Sequence, residues 1–153
     1  MTDYRLVLFV HVLASVVWVG GATYLQIQAR RVLARGNGDE IAMFSRDAGE
    51  VASKVFTPAS IVILIAGIYM VIDADWGFDH FWILSSLVVL IGSATLGAAF
   101  LGPESKRLGE LVAARGTEDP EVKARITRIV NITAVELVFL ILVVFNMTYK
   151  PFL

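Results

Sequence analysis

Leu6-Val-Leu-Phe-Val-His11-Val-Leu-Ala-Ser15-Val-Val-Trp18-Val-Gly20-Gly21-Ala-Thr-Tyr-Leu25 decides the fold class. It is an uncharged apolar run long enough to cross a bilayer as a helix. Three further apolar blocks follow, so the sequence predicts transmembrane helices over about 6–26, 55–73, 81–102 and 129–149. Lipid offers no water to unsatisfied backbone groups, so spanning segments of this length are helices. The expected architecture is all-α: a four-helix transmembrane bundle forming one integral membrane domain over 1–153. Composition agrees, with 57% hydrophobic and only 18% charged residues and a mean hydropathy of +0.72.

The polar connections set the orientation. The first carries Arg30, Arg31, Arg35, Arg46 and Lys54, and the third carries Lys106, Arg107, Arg115, Lys123 and Arg125. The second carries neither lysine nor arginine, and the termini add only Arg5 and Lys150. By the positive-inside rule both longer connections are cytoplasmic and both termini are outside, as in a bacterial inner (plasma) membrane protein. The N-terminal run is too long, and its flanks too weak, for a cleaved signal peptide, so it is expected to remain as helix one.

Within the first connection, Gly36 suits a helix C-cap and Asn37-Gly38 a turn. An amphipathic helix is predicted from Asp39, with Ile41, Phe44, Ala48, Val51 and Val55 on one face. Pro58 marks a first turn or a bend. Gly102-Pro103 is expected to end helix three, and Arg115-Gly116 and Asp119-Pro120 to form turns before a helix that begins near Arg125. Helix three carries Ser85, Ser86, Gly92, Ser93, Ala94, Gly97 and Ala98, small residues that let helices approach closely.

A net charge of −1 gives no reason to expect a nucleic-acid partner. The absence of cysteine excludes disulfides, thiolate metal sites and c-type haem attachment. No P-loop, dinucleotide fingerprint, nucleophile elbow or zinc-protease helix is present.

What remains is a small set of polar groups in apolar surroundings. His11 is the first, since an ionisable group in hydrocarbon usually faces the bundle interior and has a partner or ligand. Ser15, Trp18 and Ala22 share its helical face, and Gly20-Gly21 leaves space for a planar ligand or a close-packed helix. Met70, His80 and Met147 lie toward the same outer end as His11. Two imidazoles and two thioethers would suit copper(I), and a His–Met or His–His pair would suit haem iron. Glu136 is the only acid in the middle of a membrane block. It could relay protons, offset Arg128 or Lys54, or hydrogen-bond a neighbouring helix.

Several of these residues together resemble the small four-helix membrane proteins that include HemJ-type protoporphyrinogen IX oxidases and the CopD copper-resistance membrane domain. The resemblance covers most of the chain. It rests on His11, Trp18 and Gly20-Gly21, on Phe44 and Arg46 before Thr57-Pro58-Ala59 and Gly67, and on Trp82. Arg128 with Asn131 and the terminal Lys150-Pro151-Phe152 complete it. It implies a b-type haem with His11 as iron ligand beside Ser15 and Trp18, and a redox role. Glu136, Arg128 and Asn131 are the candidate catalytic residues. Those oxidases carry a lysine and a histidine along helix three, whereas here neither type follows His80 before the helix ends, so the reaction stays open. The alternatives are a copper-handling protein using His11, His80, Met70 and Met147, and a non-catalytic subunit or scaffold of a larger membrane complex. Partners beyond the lipid bilayer would be further copies or subunits.

Overall fold

The structure is a computed structural model that describes residues 2–150. The terminal Pro151-Phe152 of the motif above lies outside the described residues. Six α-helices account for almost all of it: α1 Thr2–Arg35, α2 Gly38–Val51, α3 Thr57–Asp73, α4 Phe81–Leu96, α5 Gly102–Arg115 and α6 Pro120–Tyr149. Two π-helical turns, Ala52–Phe56 and Gly97–Leu101, join α2 to α3 and α4 to α5 without a break. Four continuous rods therefore result, each long and apolar enough to span a membrane.

Each apolar block keeps its expected place and extends beyond it. α1 continues to Arg35, where Gly36 closes it in the left-handed region at φ +69°. Asn37 then caps α2, its Oδ1 accepting the Asp39 and Glu40 amides at 2.9 and 3.3 Å. Two boundaries differ from expectation. Gly102-Pro103 does not end the third rod. Proline lacks an amide hydrogen and its ring crowds the carbonyl four residues back. The preceding turn widens so that the Gly102 amide donates to the carbonyl of Gly97, and Pro103 enters α5 in its first turn. Thr57-Pro58 follows the other wide turn in the same way. The fourth rod begins at Pro120, ahead of the expected start, because Asp119 caps it through the Glu121 and Val122 amides.

The outside of the bundle is apolar. Leu6, Val16, Ile65, Ile72 and Val88 are each more than 60% exposed, as a lipid-facing surface requires. Packing is strongest between α1 and α3 and between α2 and α5, and α3 meets α4 only sparsely. Three small clusters form the interior. Val71, Trp82 and Ile83 pack at the end near the α3–α4 loop. Trp18, Ala59 and Leu140 pack in the middle. Val32, Ile41, Ala42, Leu108, Val112 and Val122 pack at the charged end.

The small residues divide into two kinds. Gly109 allows real contact, since a Cβ there would lie 3.2 Å from the Ala42 carbonyl oxygen. Gly92 and Gly97 face open space, so on helix three they leave room and do not draw a helix in.

Candidate functional site

Between the middle cluster and the charged-end cluster lies a cavity of about 1490 Å³. This exceeds the roughly 300–1,000 Å³ of ordinary ligand pockets. Both π turns line it, through Phe56 and Ala52 on one side and Gly97, Ala98 and Leu101 on the other. Wide turns displace side chains from the α-helical register, and small residues on the second turn leave the space unfilled.

The deep part is apolar with a few polar groups. α1 contributes Trp18, Ala22 and Gln26; α3 contributes Ser60; α4 contributes Ser93; α6 contributes Thr133, Glu136 and Leu140. Glu136 of α6 and Ser93 of α4 line the same part of the cavity. Thr133 Oγ1 donates to Gln26 Oε1 at 2.9 Å, and Gln26 Nε2 donates to the Val130 carbonyl at 3.4 Å. The mouth is lined by Arg46 and Glu50 of α2 and by Lys106 and Glu110 of α5, all exposed. The cavity thus runs from charged surface to a carboxyl inside the apolar part of the bundle.

Of the three candidate catalytic residues only Glu136 reaches this cavity. Arg128 lies over the Phe100 ring at 4.9 Å and lines a separate surface hollow of about 250 Å³ with Glu104, Glu121 and Arg125. Asn131 is exposed on α6. The expected offsetting charges do not meet Glu136: Lys54 pairs with Glu50 at 2.7 Å, and Arg128 takes Phe100.

His11 sits elsewhere, on the α1–α3 interface. Its Nδ1 is 3.1 Å from the Ile63 carbonyl oxygen, and its Cε1 lies 3.4 Å from where a Gly67 Cβ would be. A carbonyl can only accept, so Nδ1 carries the hydrogen, and a neutral ring held this way has its lone pair at Nε2. Ser15 shares the face and donates to the His11 carbonyl at 2.8 Å. Trp18, two turns on, is buried against Ala59 and Leu140. Gly21 leaves no space for a planar ligand. The Phe56 ring occupies that position, 2.7 Å from where a Cβ would stand, while Gly20 is exposed.

The other candidate ligands have their own settings. His80 meets the edge of Trp76, with centroids 5.7 Å apart. Met147 packs on the Val71–Trp82–Ile83 cluster, and Met70 is half-buried on α3. Among the described residues no group of three or more His, Asp or Glu side chains gathers at metal-binding range. Two polar positions were not singled out in the sequence. Gln26 reads as the start of a polar helix end, yet it is 8% exposed and joins α1 to α6. Asn146, a lone amide in an apolar helix, donates to the Trp82 carbonyl at 2.9 Å and lies 3.0 and 3.1 Å from the Ser85 and Ser86 hydroxyls.

The family described as "Predicted integral membrane protein (DUF2269)" matches residues 5–151. No curated protein and no solved structure matches.

Proposed function

The chain belongs to the DUF2269 family of predicted integral membrane proteins, and from that premise we propose that it is a membrane redox protein that holds haem b through His11. One observation carries this reading: the Ile63 carbonyl fixes the His11 tautomer with Nε2 free. Histidine ligands characteristically donate their other ring N–H to such an acceptor, which orients the ring and raises its basicity. The residues present fit that role. Gly67 gives the imidazole room on α3, and Ser15 and Trp18 continue the same inward face. The order of His11, Trp18 and Gly20-Gly21 resembles the haem-binding group named above. Bound haem would supply one-electron exchange at its iron. The chain's part is to present one imidazole in a fixed orientation on the α1–α3 interface.

The basic residues gathered at the α2–α5 end support reading that end, and so the cavity mouth, as the cytoplasmic one. His11 then lies toward the outer leaflet.

The test is the absorption spectrum of protein produced with ample haem and gently solubilised, oxidised and reduced. The expected result is a Soret band that is lost in His11→Ala. A colourless wild type, or a band unchanged in His11→Ala, overturns the reading. Copper handling is favoured by one observation: His80 and Met147 belong to the same Trp76–Trp82 surroundings. Copper(I) titration of wild type, Met70→Leu and Met147→Leu distinguishes it.

A further inference from the structure

We propose that the central cavity is a binding site for a lipophilic organic cation, its charge against Glu136 and its apolar body against Trp18, Phe56 and Leu140. This does not rest on the haem reading, since His11 is not part of the cavity lining.

Glu136 is the only ionisable residue of α6 between Arg128 and Tyr149. A carboxyl in a low-dielectric span either stays protonated or acquires a counter-charge. Ser93, which lines the same cavity, offers a hydroxyl and no charge. Among the described residues no lysine, arginine or histidine forms an ion pair with Glu136, and the cations of the cavity, Arg46 and Lys106, stand at its exposed mouth. The chain therefore brings an acid into the membrane interior and no base with it. The cavity beside it is large enough to admit the missing cation on a bulky molecule.

The walls select further. Phe56, Leu101, Leu137 and Leu140 offer apolar surface, and Trp18 offers an indole on which a desolvated cation gains additional attraction. A cation with diffuse charge loses least on leaving water, which favours a quaternary or aryl-substituted centre over a bare ammonium. The opening toward Arg46, Glu50, Lys106 and Glu110 carries both signs, so the mouth itself does not set charge preference. Glu136 does.

The test uses two probes of one shape and opposite charge, tetraphenylphosphonium and tetraphenylborate. The full chain is placed in phosphatidylcholine nanodiscs, and empty nanodiscs give the lipid background. Saturable binding of about one phosphonium per chain is expected, with the borate at background. Glu136→Gln should weaken phosphonium binding at least about tenfold, and Glu136→Asp should retain most of it. Equal binding of the two ions, absence of a saturable component, or an unchanged isotherm in Glu136→Gln overturns the proposal. A measurement on the unmodified chain covers the case in which Glu136→Gln does not fold. Dicyclohexylcarbodiimide should label Glu136, and saturating phosphonium should slow that labelling at least about tenfold. Labelling at an unchanged rate overturns the proposal as well.

Discussion

Gly21 of α1 and Phe56 of the first π turn occupy one space: a Cβ on Gly21 would fall 2.7 Å from Phe56 Cε1. The glycine is there so that the ring can cross α1 and form a wall of the cavity. Because the clashing atom is the far end of a side chain, Gly21→Ala should be absorbed by a tilt of the ring at a cost of about 1 kcal/mol. Gly21→Val should cost about 3 kcal/mol. Thermal unfolding in detergent measures both, and Phe56→Leu placed in the Gly21→Val background should recover part of the loss. A Gly21→Val protein as stable as wild type would refute the contact.

Gly109 should respond less forgivingly. What a Cβ would meet there is the Ala42 carbonyl oxygen, a backbone atom that cannot swing aside. Gly109→Val is expected to separate α2 from α5 and to lower stability by about 2–3 kcal/mol. Gly92→Ala, which enters open space, should be close to neutral and serves as the control. Proteolysis of the charged end in inside-out membrane vesicles reads the difference directly.

Asn146 ties α6 to the start of α4 through the Trp82 carbonyl and the Ser85 and Ser86 hydroxyls. Replacing it by leucine removes the donor from all of these partners. The expected loss is about 1–2 kcal/mol, typical of strong interhelical polar contacts in lipid. Ser85→Ala and Ser86→Ala singly should each cost less, because the Trp82 carbonyl remains as acceptor.

The Gln26–Thr133 hydrogen bond joins residues 107 positions apart in the chain. A double-mutant cycle with Gln26→Leu and Thr133→Val should give a coupling of about 0.6 kcal/mol, with about 1.7 kcal/mol as the upper range for such bonds. Additive effects of the two substitutions would show that the bond contributes nothing.

Orientation can be read without background, because the chain has no cysteine. Ala74→Cys, in the uncharged-to-acidic α3–α4 loop, should be labelled by an impermeant maleimide from outside the cell. Ala114→Cys, near the end of α5, should be labelled only after the membrane is opened. The reverse pattern would invert the bundle and put the cavity mouth outside.

The membrane bundle was legible in the sequence because its cause is local. Bilayer thickness demands about twenty apolar residues, and lipid demands that their backbone groups bond within the segment. The Gly36 cap was legible for the same reason, since it acts on carbonyls within a few residues; Asn37 reads as a turn residue, and the structure shows it capping α2. In the sequence Pro103 and Pro120 read as breaks. Each is tolerated in a first helical turn, and whether the chain continues there depends on what the turn packs against. The inward face of His11, Ser15 and Trp18 followed from helical phase. Its partner, the Ile63 carbonyl 52 residues away, did not.

By itself, then, the sequence determined the class, the four apolar spans and which end of the bundle carries the basic residues, since these depend on residue type and spacing along one segment. Tertiary structure alone decided that Gly21 admits Phe56, that Gln26 is buried against Thr133, and that two proline-linked wide turns face each other across a cavity reaching Glu136. Those features depend on which distant segments meet, and no periodicity within a helix encodes its neighbour.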